Sequence, residues 1–207
     1  MKNTIMILIA AICSLSATSP ATAQEADDAS KINTISATET FRHSVNMCPG
    51  GIVFGIYSMN YEYLLSPSHG LVGRLEYEAI PKTYTDADID ANGVAFTLNY
   101  RWHLSGEMES LFLGAYSRYR HYQGKGTLES TKFDFDIPDV TLGLNIGKRW
   151  VWIGGLNITF ALGYGFSIDD RNTLPTSIAI ESSIDTFQDE YDFFNPFLGE
   201  ISIGYTF

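Results

Sequence analysis

The sequence predicts an all-β protein, a closed antiparallel eight-stranded transmembrane β-barrel. Three observations carry that expectation. From about residue 40 to the C-terminus, apolar residues tend to recur at every second position, the period of a strand. The positions between them hold mainly Gly, Ala, Ser, Thr and Asn with a few charges, as the narrow interior of a small ring requires. The apolar faces run five or six positions per strand and carry aromatics near their ends. Strands of roughly 9–11 residues that cross hydrocarbon between aromatic girdles look like this.

Composition narrows the class further. The chain has 207 residues, enough for one domain. Charged residues are 18% of it, below the roughly 25% of a soluble domain. Its 13 Phe, 12 Tyr and 3 Trp exclude a disordered chain, and the scarcity of a Glu/Lys/Leu-rich pattern excludes a coiled coil. A net charge of −11 excludes a nucleic-acid binder, which needs a basic face to displace counterions.

The N-terminus reads as a secretory signal peptide, residues 1–23. Met1-Lys2-Asn3 is a short positive start, Ile5 to Ile12 is an apolar core too short to span a bilayer, and Ala21-Thr22-Ala23 is a small-x-small cleavage site. Ile12 before Cys13 argues against lipid attachment at that cysteine. Residues 24–39 are polar and aperiodic and read as a flexible periplasmic lead to a barrel over 40–207. After cleavage Cys48 is the one cysteine left. A buried, inert thiol is the expectation, an intermolecular disulfide the alternative.

Strand by strand, the first element is 38–47, which alternates poorly and is included because bacterial barrels have even strand numbers. Cys48-Pro49-Gly50-Gly51 connects it to a strand over 52–65. After a turn at Ser66-Pro67-Ser68-His69, residues 71–80 set Leu71, Gly73, Leu75, Tyr77 and Ala79 against Val72, Arg74, Glu76, Glu78 and Ile80. An outer loop is expected at 82–92. Residues 94–104 set Val94, Phe96, Leu98, Tyr100, Trp102 and Leu104 against Ala95, Thr97, Asn99, Arg101 and His103. A turn at Ser105-Gly106-Glu107 leads to a strand over 111–122, then an outer loop over 123–137. Residues 140–153 place Val140, Leu142, Leu144, Ile146, Trp150 and Trp152 on one face, interrupted by Lys148. Gly154-Gly155 makes a tight turn into 156–166. A long polar loop over 168–195 precedes the last strand, 197–207. A soluble sandwich also alternates, but it would crowd Lys and Glu onto its polar face.

The last strand places Ile201, Ile203, Tyr205 and Phe207 on one face, with phenylalanine as the final residue. Asn99-Tyr100-Arg101-Trp102 is echoed by Gly147-Lys148-Arg149-Trp150, and Leu111 to Tyr116 by Phe160 to Tyr164. These repeated hairpins and the terminal Gly204-Tyr205-Thr206-Phe207 resemble small outer-membrane β-barrel families of Bacteroidetes-type bacteria. The resemblance covers about residues 40–207. It implies an outer-membrane location, with Ile201, Ile203, Tyr205 and Phe207 as the C-terminal assembly signal read by the barrel-assembly machinery. Outer-membrane lipids and lipopolysaccharide are the surroundings it implies.

The inward face carries a charged set: Glu62, Arg74, Glu76, Glu78, Arg101, Arg118, Arg120 and Glu200. In a ring of eight strands they read as a paired network that fills the lumen and fixes register. The functional expectation is an integral, porin-like membrane protein with a structural or surface-interaction role, no open pore, no catalytic residue, and no cofactor or metal site. One alternative is a lipid-remodelling enzyme of the lipid A deacylase kind, for which His43, His69, His103 and His121 are the candidate bases. The other is an adhesin or ligand binder acting through 169–195, whose alternating Ser177 to Glu181 stretch would extend a hairpin. The acids Asp86, Asp88, Asp90, Asp134, Asp136, Asp139, Asp169, Asp170, Asp189, Glu190 and Asp192 read as solvated loop charge. Divalent cations bridging them to lipopolysaccharide phosphates are the sharper reading.

Overall fold

A computed structural model describes residues 41–80, 88–128, 131–169, 178–191 and 196–207. The segments expected to be a signal peptide, 1–23, and a polar lead, 24–39, lie outside the described residues.

Eight antiparallel strands close a ring in chain order. They are β1 (His43–Met47), β2 (Ile56–Ser66), β3 (His69–Ala79), β4 (Asp88–His103), β5 (Leu111–Leu128), β6 (Thr131–Val151), β7 (Leu156–Asp169) and β8 (Leu198–Thr206). Among the described residues two helices interrupt them, α1 (Pro49–Ile52) and α2 (Ile178–Tyr191). The ring is sealed by β1 against β8, from Ser44 opposite Thr206 to Met47 opposite Ile203.

The two-residue side-chain period decides which way each residue faces. On β8, Glu200, Ser202 and Thr206 are buried inside while Ile201, Ile203, Tyr205 and Phe207 stand exposed outside. On β6, Leu142, Leu144 and Ile146 point out, Leu144 with 70% of its surface exposed, and Thr141, Asn145 and Arg149 point in. Long apolar side chains therefore cover the outside of the ring and polar ones its interior, the reverse of a protein built around an oily core.

Short connections gather at one end, after Ser66, His103 and Val151. The last uses Gly154 and Gly155 at φ +86° and +89°. That left-handed backbone costs glycine nothing and most other residues 1–2 kcal/mol or so.

The ring departs from the sequence expectation in three places. First, strand runs into both loops placed at 82–92 and 123–137: β4 begins at Asp88, with 82–87 outside the described residues, and β5 and β6 pair up to Leu128 opposite Thr131. The alternation continues there with its polarity reversed. Phe133, Phe135 and Ile137 turn inward, and Lys132, Asp134 and Asp136 turn outward. A search for outward apolar residues reads such a stretch as loop. Second, the loop over 168–195 contains α2, so Ile178 to Glu181 is helix and does not extend the hairpin; Ser177 lies outside the described residues. Ile180 and Ile184 are four apart, on one helical face, and both are buried. Third, the wall around the first strand is shorter than expected: β1 starts at His43, and residues 52–55 are not strand.

Inside the extension, the Phe135 ring lies over Gly124 and the Phe133 ring over Gly126, where any Cβ would collide with them. A Gly124→Val substitution is therefore expected to destabilise the outer hairpin by about 1–3 kcal/mol, the usual range for overpacking. Faster proteolytic nicking near residues 124–135, with the rest of the ring intact, is the measurement that checks it.

Candidate functional site: a charged lumen

All eight residues of the predicted charge set face the interior, none more than 9% exposed. They fall into tiers, because the strands that carry them start at different heights.

In the tier nearest the short turns, side chains from four alternate strands meet. Glu62 of β2 accepts from Arg101 of β4 at 2.9 Å and from Arg149 of β6 at 2.7 Å, both on Oε2. Its Oε1 pairs with His103 Nε2 at 2.7 Å. Arg101 uses its other terminal nitrogen to reach Glu200 of β8 at 2.6 Å. Glu200 also accepts from Ser202 at 2.8 Å and from Asn60 at 3.2 Å, and Asn60 in turn accepts from Asn46 at 2.9 Å. The Arg101 guanidinium lies 4.3 Å from the centre of the Phe112 ring, a cation–π contact that covers the face of the ion. A carboxylate shared by two guanidiniums and an imidazole suits burial, since each of its oxygens has a partner.

Midway, Arg74 holds Glu76 at 2.6 Å and donates to the Gly199 carbonyl at 3.2 Å. Arg118 donates to the Phe197 carbonyl at 3.3 Å. Higher still, Arg120 pairs with Asp139 at 2.6 Å and reaches Thr141 and Ser167, and Ser167 donates to Asp139 as well. Tyr122 donates to Glu78 at 2.6 Å.

Three members of its ion pairs were not among the predicted set: His103, Asp139 and Arg149. Their parity along β4 and β6 was readable, since each falls in step with Asn99, Thr141 or Asn145. Asp139 had been assigned to the edge of a loop, and the strand extension returns it to the lumen, buried. Among the described residues, the interior then holds five arginines (74, 101, 118, 120, 149) against five acids (62, 76, 78, 139, 200), all buried. The charges balance, as a low-dielectric interior demands.

Above the charged tiers the interior becomes apolar. Ile80, Ile89, Ala91, Tyr122, Phe133, Phe135 and Ile137 form one cluster with Ile180 and Ile184 of α2. The outside reverses at the same height, from Val94, Tyr119 and Val140 to Asn92, Gln123 and Asp136. So α2 covers this end of the ring by its own apolar stripe.

No family model, curated protein or solved structure matches the chain.

The four histidines are scattered. His43 meets the Tyr61 hydroxyl at 2.7 Å and stacks near Phe207; His69 meets the Tyr100 hydroxyl at 2.6 Å. His103 lies on Glu62 inside, and His121 meets Asp136 on the outside of the extension. Of the loop acids, Asp134 and Asp136 stand on the outer face of β6, and Asp90 on that of β4. Asp86, Asp170 and Asp192 lie outside the described residues. Among the described residues, no group of three or more His, Cys, Asp or Glu side chains is placed to hold a metal. Cys48 is a free thiol, 4% exposed.

Proposed function

We propose that this chain is an integral outer-membrane barrel whose lumen is filled by its own ion pairs, and whose role is structural or surface-interacting rather than conductive. The observation that carries the reading is the reversal of polarity along single strands. On β6 the outward residues are apolar from Val140 to Trp150, with Lys148 near one end, and polar beyond. Ten steps of ~3.3 Å at a tilt near 40° give an apolar band roughly 25 Å high, the height of a barrel's hydrocarbon belt. Trp102, Trp150, Trp152, Tyr100 and Phe207 cluster toward the short-turn end of that band, where amphipathic rings favour an interface.

In this reading the short turns face the periplasm, lipid and lipopolysaccharide surround the belt, and the β4–β6 extension with α2 stands outside as the part available to partners. The exposed Ile201, Ile203, Tyr205 and Phe207 serve as the strand read by the assembly machinery. Filling of the lumen is supported by the meeting of Glu62, Arg101, Arg149 and Glu200, which joins four alternate strands across the ring.

The test is a membrane extract run on a gel with and without boiling. A folded ring in detergent is expected to migrate faster unboiled than boiled, and to leave the membrane only with detergent. A monodisperse, detergent-free protein from the periplasmic fraction would overturn the proposal.

A further inference from the structure

The wall of the ring is not equally tall all round. β5 and β6 pair from Leu111 opposite Lys148 to Leu128 opposite Thr131, whereas β1 offers β8 only Ser44 to Met47. Above Met47 the chain leaves the sheet. On its β1 side, β8 has no strand partner from Leu198 to Ser202 among the described residues, and β2 keeps only the Cys48 amide, which donates to the Ser58 carbonyl at 3.0 Å.

Residues 48–55 lie across this gap. Gly50 sits so close to β8 that a Cβ there would be 3.2 Å from the Ile201 Cβ, and Gly51 sits against the Ile56 carbonyl. The outer surface of this strap is Ile52, Val53 and Phe54, all exposed; Cys48 points inside. From within, lumen side chains take the place of the missing ladder. Arg74 donates to the Gly199 carbonyl, Arg118 to that of Phe197 and Tyr116 to that of Pro196. Such substitution is what a bare strand edge needs at membrane depth. Just behind the strap, Arg74 Nε and Glu76 Oε2 are buried with no hydrogen-bond partner in the protein, one a donor and the other an acceptor.

We propose that residues 48–55 form a movable strap over a side portal, through which the zwitterionic head of a bilayer phospholipid reaches Arg74 and Glu76 while its chains stay outside. This rests on the membrane reading above. The head-group phosphate suits Arg74 Nε and the ammonium suits Glu76 Oε2; a purely anionic head leaves the carboxylate unanswered. Few ladder bonds hold the strap, so it opens at lower free energy than the paired wall.

Cys48, immediately inside the strap, is a native reporter. A Cys13→Ser chain leaves it as the single thiol. The chain is folded into phospholipid vesicles, and only its heat-modifiable band is scored. One probe is a phosphatidylethanolamine bearing a maleimide on its head; the other is a maleimide on a water-soluble polymer. The lipid-borne probe is expected to label Cys48 at least about tenfold faster, and Gly50→Val, which wedges the strap off Ile201, to raise that rate by about another tenfold, or 1.4 kcal/mol in the opening equilibrium. Vesicles rich in unlabelled phosphatidylethanolamine are expected to slow labelling relative to phosphatidylglycerol, by competition for Arg74 and Glu76. Equal rates for the two probes, or no lipid-borne labelling where urea-unfolded chain labels fully, overturn the portal. Equal rates in the two lipids overturn the head-group assignment. Absence of a heat-modifiable band defeats the membrane reading and the portal with it, whereas a heat-modifiable protein whose Cys48 ignores the lipid probe defeats the portal alone.

Discussion

A Glu62→Ala substitution is expected to destabilise the folded ring by about 3–5 kcal/mol, the usual consequence of removing one partner from a buried ionic cluster. Glu62 is fully buried and is the common acceptor for Arg101, Arg149 and His103. Without it two guanidiniums face each other in the lowest tier, and Glu200 alone answers them. Coulomb repulsion and lost charge-assisted hydrogen bonds then add to the cavity left behind. The check is a urea titration of the heat-modifiable fraction, with m compared so that a change in midpoint reads as a change in stability. Pairing the substitution with Arg149→Met should recover part of the loss, because residues in one network do not act additively. If Glu62→Ala shifts stability by less than about 1 kcal/mol, the ordinary effect of a point change, the lumen cluster is not what holds the ring together.

Leu144→Arg separates a membrane belt from a water-facing sheet. Leu144 is among the most exposed apolar side chains of β6 and lies midway along its apolar band. On the outside of a ring in water, replacing so exposed a leucine would change stability by no more than about 0.5 kcal/mol. At the midplane of a bilayer an arginine on the lipid face destabilises by about 2–4 kcal/mol, falling toward zero at the interfaces. The expected result is therefore a large loss for Leu144→Arg and almost none for Asp134→Arg, six residue steps beyond the band's outer edge on the same face. Refolding into vesicles, scored by the unboiled gel band across a urea series, reads both. Equal and small effects at the two positions would mean that the outer surface meets water throughout.

Much of the ring was legible because one period governed it. Wherever apolar residues faced out, as from Val94 to Trp102 or Leu156 to Phe166, alternation placed both the strand and its inward residues. The misreadings share a physical cause: the rule for which face is apolar changes with height. Past Val140 the interior becomes the apolar side, so Phe133, Phe135 and Ile137 looked like loop residues between acids. Ile178 to Ile180 illustrates a different ambiguity, since a few residues of alternation fit a strand and a helical stripe equally well. The short β1 was legible only as a weak segment, because five residues give the period little room. Of the lumen network, the eight named charges followed from parity. Arg149 and His103 obeyed the same parity, but their joint attachment to Glu62 depends on strand stagger, which sets whose tips meet across the ring and leaves no local trace.

The tiered network also constrains how the polypeptide reaches its final state. Asn60 and Glu200 are 140 positions apart along the chain, and Arg101 and Glu200 are 99 apart. No single hairpin contains a complete set of partners for Glu62 or Glu200. Glu62 must wait for β4 and β6 to curl round to β2, and Glu200 on the last strand waits for Arg101 of β4, so these sequence-distant contacts form late, slow by the measure of chain separation. Arg120 and Asp139 meet within one hairpin, but Glu62 and Glu200 stay bare on the concave side until distant strands arrive; under the membrane reading proposed above, those bare charges would hold a partly curled form at the aqueous surface until the ring closes.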